Sequence, residues 1–174
     1  MASSVSLREN AVHLLKGDLC LREHVVYLLN GDGAHLDFDA AVKDLPVALR
    51  GKKPKGAAHT PWQLLEHLRL TQADVLGSLR DPAHQSPEFP AGYWPVTEAP
   101  SNEKAWNRSA EEFRAGHKAM LELVTSQSSN LLAPLPGAEG QTILRKLLML
   151  ADHNSYHLGQ LVALRRLLGA WQEE

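Results

Sequence analysis

Apolar residues recur along this chain every three or four positions, the spacing of one helical face, and no stretch sustains the alternation of β-branched residues that marks strands. The spacing predicts a helix that begins at Thr60 as N-cap, with Pro61 at the first helical position. Its stripe runs through Trp62, Leu64, Leu65, Leu68, Val75, Leu76 and Leu79 and stops at Asp81-Pro82. A second helix starts near Ser101, with Glu103 in its first turn, and carries Trp106, Phe113, Met120, Leu121 and Val124 up to the polar run Ser126 to Asn130. The last and most strongly patterned helix, from about Thr142 to Leu168, is entered from Pro134, Pro136 and Gly140 and ends near Gly169. An all-α fold follows.

The start of the chain contains a repeat. Leu7 to Asp18 recurs as Leu21 to Asp32, with Leu, Arg, Glu, Val, Leu, Leu, Gly and Asp in register. Each copy has helical spacing and a Gly-Asp stop, which predicts two helices of two to three turns. Two copies are too few for a solenoid. They read as a duplication of the first bundle helix, one copy in the bundle and the other lengthening or preceding it. The chain divides accordingly into an N-terminal extension, 1–19, and a bundle domain, 20–174. Two long connections, 46–59 and 81–100, are of a length often tied to function. The second holds five prolines and the aromatic trio Phe89, Tyr93 and Trp94. Those aromatics either roof a pocket or pin the loop to the bundle end.

A length of 174 residues fits one domain, and 44% apolar with 22% charged residues fits a chain that folds unaided. The net charge of -2, with no block of Lys or Arg, lacks the electrostatic footprint of a nucleic-acid binder. Apolar runs such as Leu147 to Ala151 fall far short of the roughly 20 residues of a membrane span, and Arg8, Glu9 and Lys16 interrupt any secretory leader. A single cysteine, Cys20, excludes an internal disulfide and a thiolate-rich metal site; it reads as a structural thiol in a reducing, cytoplasmic setting.

Nine histidines stand out against this ordinary background. His153 and His157 are spaced i, i+4 on the last helix, about 40° apart beside its apolar stripe, so both rings share a face and can share a metal ion. The alternative is that each ring bonds to a neighbour such as Asn154 or Gln160, or to water. A third ligand is needed for tight binding, and His67, on the flank of the Thr60 helix, is the best candidate. His13, His24, His35, His59, His84 and His117 fall near helix ends, in loops or on uncertain faces, mostly as solvated groups. Asn154 replaces the glutamate of a His-Glu-x-x-His protease helix, and Glu-x-x-His pairs of di-iron bundles are missing. Serine-hydrolase elbows, Walker loops and dinucleotide fingerprints are missing too.

Taken together, Thr60-Pro61-Trp62-Gln63-Leu64-Leu65-Glu66-His67, the loop segment Tyr93-Trp94-Pro95 and Asp152 to Leu161 resemble the DinB-like family. The resemblance covers about Leu21 to Trp171 and rests on a Trp-x-x-x-Glu-His segment followed, in the right order, by His-x-x-x-His-x-x-Gln. It implies a four-helix bundle with long crossover loops, often homodimeric, and one divalent transition metal held by His67, His153 and His157, with zinc or nickel the leading ions. The family includes transferases that use a low-molecular-weight thiol.

Three neutral imidazoles leave an open coordination position, where a water or thiol becomes a nucleophile. The expected activity is therefore a metal-dependent thiol S-transferase or hydrolase acting on a small electrophilic substrate. The competing expectation is a non-catalytic bundle that binds small molecules or forms a dimer. Asp152 and Glu66 read as groups behind the ligands or on the surface. Gln160, about 20° from His153, either orients a ligand or bridges helices as a buried amide.

Overall fold

The computed structural model describes residues 7–33, 35–136 and 139–171, with only the backbone described for 7–11 and 13. Residues 1–6 of the expected extension and the side chain of His13 lie outside this description. Helices α1 (Leu7–Asn30), α2 (Phe38–Val42), α3 (Pro61–Arg80), α4 (Glu103–Thr125) and α5 (Ile143–Leu167) follow in order, and no strand occurs among the described residues. In the four-helix bundle, α3 packs on α4 and α5, and α1 closes the opposite side against the same two. The short α2 docks on α5, where Arg165 donates to the carbonyls of Ala40 and Ala41.

The helix starts obey local chemistry. Thr60 accepts from the Gln63 amide while the Gln63 side chain accepts from the Thr60 amide, a reciprocal cap above Pro61. Thr142 caps α5 as expected. The cap of α4 is Asn102 in place of the expected Ser101, because its carboxamide reaches the Ala105 amide. The short α2 and the 3-10 turns Val47–Leu49 and Ala91–Tyr93 have no counterpart in the sequence reading; they are too brief to show a period.

The two repeat copies form one continuous helix, so Gly17-Asp18 is not the stop that the sequence suggested. Asp18 instead accepts from Arg22 one turn on, and Arg22 donates to the carbonyls of Val124, Ser126 and Ser129 at the end of α4. That anchorage holds the helix through Gly17, whose intrinsic penalty is about 1 kcal/mol. The second copy does stop, at Gly31, where φ of +74° suits a residue without Cβ.

The core has two apolar clusters. One gathers Leu64, Leu65, Leu68, Trp106, Phe113 and Leu161; the other gathers Val25, Val75, Met120, Val124, Leu147 and Leu150. Between them along α3, α4 and α5 lie polar residues, among them Gln72, His117 and Asn154. Gln72 is buried and donates to the Phe113 carbonyl. His153 adjoins this band on α5, while His67 and His157 lie beside the first cluster, next to Leu68 and Leu158.

Candidate metal site

Three histidine side chains converge where α3 faces α5. His67 Nε2 lies 3.0 Å from His153 Nε2 and 3.2 Å from His157 Nε2. One ligand atom from each ring fits within 4.8 Å of the other two. The structure thus brings together the three residues singled out in the sequence. His67 and His157 are buried and His153 is half-buried.

The opposite nitrogens decide what these atoms can do. His67 Nδ1 is 2.8 Å from the Tyr93 carbonyl oxygen, which can only accept, so the ring's proton sits on Nδ1. His157 Nδ1 is 2.8 Å from Gln160 Oε1, and His153 Nδ1 is 3.4 Å from Asn154 Oδ1. With Nδ1 carrying the proton, each neutral ring directs a bare Nε2 lone pair inward. Three acceptors then face one another with no donor between them. Imidazoles bound to one ion at about 2.0–2.1 Å place their nitrogens about 3.0–3.4 Å apart, which the observed separations match. The donor set, its tautomers and its spacing fit a divalent transition metal.

Electrostatics point the same way. Burial lowers the pKa of His67, with further lowering from His153 and His59 outweighing the bond to Tyr93. His153 is lowered by burial against the opposing effects of Asn154 and Asp152. His157 drops from 6.5 to about 4, first through burial and then through the neighbouring imidazoles. All three are neutral at pH 7, and protons compete little with a metal.

The 81–100 connection supplies one wall. Trp94 stacks on the His67 ring, centroids 3.9 Å apart and planes 2° from parallel, and His59 stacks on Trp94 at 3.8 Å. Asp74 of α3 holds the loop by accepting from the Tyr93 hydroxyl at 2.8 Å and from His84 at 2.7 Å. Gly77 makes room for this contact, since a Cβ there would lie 2.5 Å from the His84 ring. Further along, Trp62 donates to Thr97, and Thr60 donates to the Glu98 carbonyl. Tyr93 and Trp94 therefore both pin the loop and cover the site, whereas Phe89 is exposed.

Other expectations need correction. Gln160 does not bridge helices; it orients His157. It is three residues from His157, a spacing that could have revealed the role. His59, His84 and His117 are engaged rather than solvated, His117 bonding to Asn30. Glu66 turns away from the cluster to Arg69 and Ser109. Asp152 is exposed. Cys20 is exposed as well, with His24 3.4 Å away, and is not a buried structural thiol.

The family described as the DinB superfamily matches residues 32–161, which include the whole site, all of α3 and α4 and most of α5. The chain belongs to the DinB superfamily. The match to this superfamily begins just past α1, so the first repeat copy and all but the last residue of the second precede it. No curated protein and no solved structure matches the chain significantly.

Proposed function

We propose that His67, His153 and His157 bind one divalent transition metal, zinc or nickel foremost, and that the protein is a metal-dependent enzyme acting on a small electrophilic molecule. The observation that carries this reading is the meeting of three Nε2 acceptors whose Nδ1 atoms each face an oxygen. When bound, such an ion supplies a Lewis acid that generates a nucleophile from water or a thiol at neutral pH.

The chain's own residues supply the rest. Tyr93, Gln160 and Asn154 fix the ligand rings, and such partners tune metal affinity. Trp94 covers one face of His67 and limits water on that side. No carboxylate turns into the cluster among the described residues, so the site leaves the charge of a divalent ion uncompensated by protein. That favours an anionic ligand such as a thiolate or hydroxide at the open position. A low-molecular-weight thiol as co-substrate, giving an S-transferase, is the finer reading; hydrolysis is the other reaction such a site supports.

The homodimer belongs to the same proposal. Its support is the set of exposed apolar residues on α1 and α5, including Leu14, Leu15, Met149 and Tyr156. No described helix is long and apolar enough to cross a membrane.

The test is elemental analysis of untagged protein beside His67→Ala, His153→Ala and His157→Ala, followed by thiol conjugation to a model electrophile. About one transition metal per chain, lost in all three variants together with conjugation, is the expected result. Absence of metal, with no uptake of supplied zinc or nickel, overturns the metal reading and leaves the non-catalytic binding module. Metal without conjugation or hydrolysis overturns only the enzymatic part.

A further inference from the structure

A cavity of about 380 Å³ opens on the other side of α5, between α1, α2 and α4. Its volume falls within the range of about 300–1,000 Å³ usual for small-molecule sites. None of His67, His153 and His157 lines it. The floor is apolar: Phe38 and Phe113 stack with centroids 3.9 Å apart, flanked by Leu29 and Leu158.

The mouth carries Asp32, Asp37 and Asp39. Asp39 is paired with Arg114 at 2.7 Å, which also accounts for the one Lys or Arg side chain in the lining. Asp37 accepts from the Ala40 amide and Asp32 from the Asn30 amide group. Both of those donors are neutral, so two carboxylates at the mouth have no cationic partner among the described residues.

An independent feature marks the interior. Asn154 is only 6% exposed and lines the cavity. The contact described for its side chain uses Oδ1, toward His153. Its Nδ2 donates to no described residue, and the residue lies at the wall of the cavity. A ligand acceptor in the cavity would satisfy it.

We propose that this cavity is a second small-molecule site, for an organic cation whose apolar body lies over Phe38, Phe113 and Leu158 while its ammonium group faces Asp32 and Asp37. Ligands that also carry a hydroxyl or carbonyl reach Asn154 and bind more tightly. The site stands apart from the metal reading, and its occupancy touches the cluster only through the Asn154 carboxamide behind His153.

The experiment is isothermal titration of the full chain with 2-phenylethylamine, and in parallel with 3-phenylpropionate, which has a similar body and the opposite charge. The amine is expected to bind at one site, about tenfold or more tighter than the carboxylate, the equivalent of about 1.4 kcal/mol. The double variant Asp32→Asn with Asp37→Asn keeps acceptors for both neutral hydrogen bonds and is expected to weaken the amine by a similar factor. His67→Ala is expected to leave amine binding unchanged, which separates this site from the metal cluster. No amine binding, equal binding of the two charges, or loss of binding in His67→Ala overturns the proposal.

Discussion

Five of the nine histidines form two groups that share a side chain and differ in what each ring nitrogen meets. His84 places Nε2 2.7 Å from an Asp74 carboxylate oxygen, and His117 places Nε2 3.0 Å from Asn30 Oδ1. Each of these rings meets a complementary atom. In the α3–α5 cluster the second nitrogen also has its oxygen, yet Nε2 meets only other Nε2 atoms. Burial does not separate the groups, since the pKa of His117 is lowered by burial as well. Complementarity does. A ring satisfied on its inward side is tied into the fold, whereas three converging rings that present acceptors to one another fit a cation.

Replacing a ring in each group breaks the comparison most directly. His153→Ala is expected to abolish stoichiometric metal binding, while His117→Ala and His84→Ala retain one metal per chain. Thermal unfolding gives a second readout. A metal at about a hundredfold excess over its dissociation constant stabilises the wild type by about 2.7 kcal/mol. The same shift is expected in His117→Ala and none in His153→Ala. Equal metal content in all four proteins would show that complementarity is the wrong criterion.

A smaller effect comes from leaving the ligands and removing what aims them. Gln160→Ala takes the acceptor from His157 Nδ1 and lets the ring turn or change tautomer. Loss of such a partner typically lowers metal affinity by about 10- to 100-fold. Competition with a chromophoric chelator measures it, and Gln160→Glu, which keeps an acceptor, is expected to recover most of the loss.

The sequence revealed one half of this contrast better than the other. The i, i+4 spacing of His153 and His157 and the Thr60 cap before Pro61 are local, so the sequence exposed both, though not the Gln63 half of that cap. His67 belongs to the cluster through its place on the flank of α3, and the family resemblance pointed to the same ring. The engagement of His84 and His117 was hidden, because Asp74 and Asn30 meet them across a loop and between helices. Trp94 shows the same limit: its stacking on His67 depends on the path of a 20-residue connection without a period. The continuous α1 was missed for a related reason. The anchor that carries it through Gly17 is Arg22 on the end of α4, about a hundred residues away in sequence.

Titration sharpens the comparison without a substitution. In metal-free protein the folded pKa of His157 is about 4, against 6.5 for an ordinary ring. Above pH 6.5 neither the folded nor the unfolded chain protonates this ring, and its contribution to stability is fully present. Between pH 6.5 and 4 the unfolded chain takes up the proton and the folded chain does not, so stability falls as pH falls, and it levels off below 4. His67 and His153 shift in the same direction. A loss of about 2 kcal/mol is expected once screening by nearby water is allowed for. Urea unfolding at pH 7 and pH 5 reads it. Bound metal opposes proton uptake by its ligands, so the loaded protein is expected to lose less down to the pH where metal dissociates.

The finest test concerns the loop that joins the two groups. Asp74 receives His84 and Tyr93 together, and Tyr93 offers its carbonyl oxygen to His67. Burial tends to raise the Asp74 pKa, but the hydrogen bonds from His84, Ser86 and Tyr93 prevail and hold it below the usual carboxylate value. Tyr93→Phe keeps the aromatic ring and the carbonyl and removes only the hydroxyl. Stability should fall by about 0.5–1.5 kcal/mol, the net worth of one hydrogen bond, or somewhat more because the acceptor is charged. Metal affinity should change less than in Gln160→Ala. The atom that orients His67 belongs to the main chain, and Trp62 and Thr60 still hold the loop through Thr97 and Glu98. A larger loss of metal than in Gln160→Ala would mean that the His84 side of Asp74 and the metal ligands act as one unit, erasing the distinction between the two groups.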